Sequence, residues 1–145
     1  MEFIWTVDLT SGYYNDAISI RKKVFVEEQH VPPELEIDDL EDKTIHVIGY
    51  LEDKAVSTAR LYQKNDTTFK VQRVAVSLDF RKQNFGNQLM LEIERYAKEK
   101  QVNQLILDAQ DHALSFYEKL GYQIEGDSFM DAGIPHHKMV KTLNL

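Results

Sequence analysis

Three consecutive runs, IHVIGYLE (45–52), AVSTARLYQ (55–63) and TFKVQRVAV (68–76), constrain the fold more than any other part of the chain. Each is rich in β-branched and aromatic residues, as strands that pack on a half-buried surface are. The breaks between them hold the polar pairs Asp53-Lys54 and Asn65-Asp66, which suit tight hairpins. The spacing predicts an antiparallel meander.

The flanks supply helices and further strands. FIWTVD (3–8) reads as a first strand. Tyr14, Ala17, Ile18, Val24 and Phe25 keep helical spacing, interrupted by the polar Arg21, and predict a helix over 12–28. Pro32 and Pro33 stop it. ELEIDDLED (34–42) holds six acids, and a charge run of this kind reads first as a solvated loop. After the meander, Leu89, Met90, Ile93, Tyr96 and Ala97 share one helical face. QLILDAQ (104–110) is a buried-strand run. Ala113, Phe116, Tyr117 and Leu120 predict a short helix capped at Gly121. YQIEGDSFM and IPHHKMVKTL close the chain as a hairpin across Asp131-Ala132-Gly133. The order β, α, three β, α, β, α, β, β predicts an α+β, α/β-type layered fold. Its sheet is mixed and mostly antiparallel, with helices on both faces. At 145 residues the expectation is a single domain over 1–145.

Charge and composition narrow the function. Seventeen basic against twenty-four acidic residues leave a net charge of −7 and no basic stripe, which argues against nucleic acid as a partner. No apolar run approaches the ~20 residues needed to cross a bilayer, so no membrane partner is expected. The chain has no cysteine, and MEFIWTVDLT carries no Lys or Arg. Both features fit a cytoplasmic protein.

The stretch RVAVSLDFRKQNFGNQLM (73–90) then asks for an explanation. A strand stops, Arg81 and Lys82 follow, and a helix begins beside Asn84 and Gly86. The first turn of a helix has unpaired N–H groups and partial positive charge, so an anion is favoured there. Gly86 allows close approach to the backbone, Asn84 tolerates a left-handed conformation, and the two cations add charge-assisted bonds to phosphate. Neither a P-loop nor a G-x-G-x-x-G dinucleotide fingerprint is present. A plain capped turn remains the other reading.

Taken with the second half of the chain, this stretch resembles the GNAT superfamily of N-acetyltransferases. The family's pyrophosphate loop, [RQ]-x-x-G-x-[GA], aligns with Arg81 to Gly86, behind a strand ending in Arg73-Val74-Ala75-Val76. DAQDHALSFYEKLGYQ (108–123) matches N-x-x-A-x-x-F-Y-x-x-x-G-[FY] through Ala113, Phe116, Tyr117, Gly121 and Tyr122. Asn84 stands in place of the usual glycine, and Gln110 in place of the usual asparagine. IRKKVFVEEQHVPPELEIDDLED and DAGIPHHKM are similar to the ElaA- and YjcF-like bacterial branch, so the resemblance spans about 20–140.

The resemblance implies acetyl-CoA as cosubstrate, no metal, and a small-molecule primary amine as acceptor; it leaves a homodimer open. The cofactor site would comprise Val74, Ala75 and Val76, Arg81 to Asn87 (Arg81, Lys82, Gln83, Asn84, Phe85, Gly86, Asn87), Gln110 and Phe116. Amides of 82–87 would cradle the pyrophosphate, and 73–76 would pair with the pantetheine arm as an added strand. A backbone N–H at or near Val76, beside a bulge, would polarise the thioester carbonyl. Tyr117 would donate to the leaving thiolate; by spacing alone it is a core aromatic. Glu28, His112 and His136 are candidates for taking the amine's proton, each with a structural role as the alternative. His136 and His137 fall on opposite faces of a strand, which argues against a metal pair. The 34–42 acids would lie on the acceptor side and could attract a cationic amine. Alternative readings are a non-catalytic acetyl-CoA-binding regulatory module, acetylation of an amino-sugar phosphate, and a phosphate-ligand-binding protein without acyl chemistry.

Overall fold

The computed structural model describes residues 1–145. Its strands are β1 (Glu2–Thr6), β2 (Thr44–Leu51), β3 (Lys54–Asn65), β4 (Thr68–Val76), β5 (Gln104–Gln110), β6 (Gln123–Ile124), β7 (Phe129–Asp131) and β8 (Ile134–Thr142). Its helices are α1 (Gly12–Arg21), the single turn α2 (Pro33–Glu36), α3 (Phe85–Glu99) and α4 (Leu114–Lys119). The sheet runs β1-β2-β3-β4-β5-β8-β6, with β7 also on β8. Only β4 and β5 pair in parallel. The α+β layered fold, the meander and the mixed sheet are as the sequence predicts.

Several boundaries move. The hairpin turns fall one residue away from the predicted pairs, at 52–53 and 66–67, with Glu52 in the left-handed region and the Asn65 side chain accepting from the Thr67 amide. The predicted helix 12–28 is α-helical to Arg21 and continues as wider π-helical turns over Lys22–Glu28. Ser11 caps its start by accepting from the Tyr14 amide. The predicted strand YQIEGDSFM divides into β6 and β7 around Gly126, whose φ is +85.

Two apolar layers hold the sheet. On one face α3 buries Leu89, Met90, Ile93 and Ala97 against Val47, Leu61, Phe69, Val71 and Leu105. On the other, Ile20 and Val24 of the α1 segment cover Ala75. Side chains of β4 alternate between these layers, but not with a constant parity. Phe69 and Val71 face α3, and so does Val74, three positions on. The extra residue is Arg73, with φ +56, opposite a register break between Thr58 and Arg60. It is a β-bulge, and it turns Ala75 toward α1.

The acidic run 34–42 is solvated only in part: Glu34, Asp39 and Asp42 are exposed, as expected of a charge run, but the other half is not. Glu36, Glu41 and the partly covered Asp38 turn inward onto three arginines, two of them 1% exposed. Arg21 Nε lies 2.6 Å from Glu36 and Nη1 2.8 Å from Glu41; Arg60 Nη1 reaches Glu41 at 2.6 Å and Asp38 at 2.9 Å. Arg73 adds a contact to Asp38 at 3.2 Å. Buried cations require such partners, and this is what draws the loop down onto the sheet. Three carboxylates meet three guanidinium groups, so this part of the run offers no net charge to steer a cation.

Candidate active site

The bulge opens the sheet. β4 pairs with β5 only from Thr68↔Gln104 to Val71↔Leu107, whereas β5 continues beside β8 to Gln110↔His136. Beyond Val71, the edge of β4 that faces β5 therefore has no strand partner. A cavity of about 320 Å³ fills the gap. Its walls come from the bulge (Gln72, Arg73, Val74), from the end of β5 (Asp108 to Gln110), from Tyr117, from the last hairpin (Asp131, Ile134, His136), and from Phe25, Gln29, Val31, Leu35 and Glu36.

At the far end of β4 lies the basic turn. Lys82 and Asn84 both take left-handed conformations, with φ +62 and +71. No amide from 82 to 87 donates to a backbone or side-chain acceptor; the first helical bond is from Gln88 to the Asn84 carbonyl. Six consecutive amides at this helix start have no protein acceptor, and such an arrangement favours an anion. Asn84 thus does what the missing glycine would do. Gly86 is needed for packing as much as for access: a Cβ there would sit 3.3 Å from the Phe116 ring and 3.6 Å from Val76. Phe116 in turn stands edge-on to Tyr117, with centroids 5.0 Å apart.

Arg81 is not a free cation. Its Nε donates to the Val76 carbonyl at 3.0 Å, and its two terminal nitrogens donate to the two oxygens of Glu28 at 2.8 and 2.9 Å. Glu28 is thereby held at the basic turn and does not line the cavity.

Tyr117 and His136 do share the cavity wall. Tyr117 is 7% exposed; burial pushes its phenol well above the usual value, so the proton stays on at neutral pH. Its hydroxyl makes no hydrogen bond within the protein. That of Tyr122, 5.7 Å away between ring centroids, is sealed and unpaired. His136 is stacked on Phe129 at 5.7 Å, and its Nδ1 lies 2.7 Å from the Ile134 carbonyl. A carbonyl can only accept, so that contact puts an N–H on Nδ1, while Nε2 makes no hydrogen bond within the protein. The neighbouring His137 faces elsewhere, 2.7 Å from Asp111.

Gln110 lines the cavity but is engaged on both sides. Its amide donates to Gln29 at 2.7 Å, and its carbonyl oxygen lies 2.7 Å from His112 Nε2. Sequence reasoning missed Gln29, Asp131 and the Arg73 contacts. An arginine inside an otherwise apolar strand end, R-V-A-V, was the available signal for the last.

A splayed parallel pair, unpaired amides at the following helix start and a cavity-lining tyrosine fit an acyltransferase-type site. The chain belongs to the acetyltransferase (GNAT) domain family, whose sequence model matches residues 11–143, and it is an N-acetyltransferase. It is 39% identical over 127 residues to the N-acetyltransferase YjcF of Bacillus subtilis, covering 87% of this chain and 90% of that protein. The crystal structure of Escherichia coli ElaA is 26% identical and superposes with a TM-score of 0.83, covering 97% of this chain and 99% of that one. An aminoglycoside 6'-N-acetyltransferase complexed with coenzyme A shares the fold, at 19% identity and a TM-score of 0.72, covering 98% and 97% of the two chains.

Proposed function

We propose that the protein moves the acetyl group of acetyl-CoA to a primary amine by direct attack in a ternary complex. The observation that carries this reading is the cavity in the strand splay, whose wall holds both His136 and Tyr117, a tyrosine whose hydroxyl makes no hydrogen bond within the protein. The pyrophosphate sits on the amides of 82–87, and the pantetheine arm lies along the open edge of β4. A backbone N–H beside the bulge polarises the thioester carbonyl. This donor belongs nearer Val74 than Val76, since the bulge is at Arg73.

His136 Nε2 takes the proton of the incoming ammonium, which near pKa ~10.4 is otherwise charged at neutral pH. The amine nitrogen then attacks the carbonyl carbon, and the carbon–sulfur bond breaks as the oxyanion collapses. Tyr117 gives its proton to the departing thiolate, and the extra proton on the new amide nitrogen restores the Tyr117 phenol, so that the net proton released is the one His136 took. Glu28 serves this scheme by orienting Arg81. Coenzyme A in the solved aminoglycoside enzyme supports the choice of donor.

The charges around the cavity favour an acceptor without an anionic group. Lys70 is 3.0 Å from Asp108, and Arg73 is engaged with Asp38, so no wall cation is left for a phosphate. Asp131 is the wall carboxylate with no partner, and a second ammonium can use it. Amino-sugar phosphates are therefore disfavoured.

A thiol-release assay with acetyl-CoA and a panel of monoamines, diamines and an amino-sugar phosphate tests the reading. Diamines and monoamines should turn over, and Asp131→Asn should raise KM for diamines alone. CoA binding without release on any amine would favour a non-catalytic module. Preference for the amino-sugar phosphate would refute the charge argument.

A further inference from the structure

The bulge that opens the active site is made by an arginine, and left-handed φ at a side chain this large is disfavoured. The structure shows what compensates. Arg73 Nε donates to the Glu36 carbonyl at 3.1 Å, and Nη2 donates to the Leu35 carbonyl and to Asp38 Oδ2, both at 3.2 Å. The platform that receives these bonds is itself fixed. Arg21 Nη2 shares the Glu36 carbonyl at 2.9 Å, while Arg60 holds Asp38 through two bonds of 2.9 Å. Leu35, Glu36 and Arg73 all line the cavity.

We propose that Arg73 is a positioning residue for acyl transfer: by bonding the bulge of β4 to the Leu35–Asp38 segment, it sets the distance between the thioester's strand and the acceptor wall. The acidic segment thus acts through Arg73 as a strut for the splay. This rests on the acetyl-transfer reading, but its mechanical part stands apart from turnover. Without the clamp, the open edge of β4 keeps its sequence and loses its fixed direction. A small misplacement of the carbonyl-polarising amide then slows the chemical step far more than it weakens ground-state binding.

Arg73→Gly separates strain from positioning, because glycine accepts the same φ while lacking the guanidinium. In the full chain this variant should keep its melting temperature within a few degrees and its CoA affinity within about threefold. Its kcat should fall by about tenfold to a hundredfold, the range for a small misplacement. Millimolar guanidinium should recover part of the loss. Amides of 72–76 should exchange with solvent faster than in the wild type, a readout that needs no acceptor. Arg73→Lys, which keeps the charge but loses the fork, should be nearly as slow as Arg73→Gly. Wild-type kcat in Arg73→Gly, or a loss confined to KM, would overturn the proposal. So would unchanged exchange at 72–76, even if no amine in the panel proved to be a substrate. Should Arg73→Gly fail to fold, Asp38→Asn takes one acceptor from Arg73 and must still speed exchange at 72–76.

Discussion

Tyr117→Phe deletes one oxygen from the cavity wall. The ring, its edge contacts to Phe116 and Tyr122, and its packing against the main core all remain. Because the hydroxyl makes no hydrogen bond within the protein, its loss leaves no protein donor or acceptor stranded. The change in stability should stay below about 1 kcal/mol. Tyr14→Phe is the matching control. There the hydroxyl donates to the buried Glu41 carboxylate at 2.9 Å, so the same deletion should cost about 1–2 kcal/mol. In a chain of this length that lowers Tm by about 3–6 °C. The kinetics should run the other way. If Tyr117 protonates the leaving thiolate, the bond strengthens only as charge develops on sulfur, so kcat should fall about 10²- to 10³-fold, or about 2.7–4 kcal/mol of barrier. Tyr14→Phe should keep kcat within about twofold, since Tyr14 lies on the α1 face among the buried ion pairs. Thiol release at saturating amine and thermal melts of both variants provide the four numbers. A Tyr117→Phe enzyme with wild-type kcat, or one that fails only through a raised KM, would refute the assignment.

Two further outcomes follow from the charge pairs. Glu28→Gln and Arg81→Gln should weaken CoA binding by similar factors in calorimetry, and the double variant should be little worse than either, because the two side chains act as one unit. If Glu28 were instead the base, Glu28→Gln would abolish the acid limb of the kcat–pH profile while leaving CoA affinity intact. Acid should loosen the loop cluster. Burial raises the Asp38 carboxyl, but the bond from Arg60, the Leu40 amide and the nearby guanidinium charges outweigh it and hold its pKa at about 2; Glu41 is held down in the same way by Arg21 and Arg60. Folded values below the unfolded ones mean stabilisation that is full above about pH 4.5 and is lost as pH falls toward about 2. Melts across this window should show Tm dropping, with a shallower drop in Asp38→Asn. Superimposable curves for the two proteins would count against the pairing.

The parts of this fold that were legible in the sequence are those in which one face of an element meets one apolar layer. The meander, α3 and segment 104–110 carry the right period because their inward side chains all belong to the same core. The turn at 81–86 was legible for a different reason, since unpaired amides and left-handed residues are local properties. Pairing between remote charges has no period. Nothing in ELEIDDLED distinguishes Glu36, which meets Arg21 from fifteen positions away, from the exposed Asp39. The direction of Glu28 was hidden too, because a switch from α- to π-helical winding rotates the side chains without altering the apolar pattern.

Yet the sequence contained two constraints that together locate the strut. Arg21 and Arg60 occupy positions where the helical and strand patterns demand an inward side chain, and an inward arginine requires carboxylates. The nearest dense source is the 34–42 run, so its inward half was deducible from the arginines, though not from the acids. In β4, the apolar positions facing α3 are 69, 71 and 74. A step of three in a period-two pattern is one residue too many, and only a bulge restores the alternation. That places the break at Gln72-Arg73, immediately before Val74 to Val76. The acid run and the bulge look unrelated along the chain. They become one feature because the residue inserted at the break is the third arginine, and its donors end on the backbone of the acidic segment.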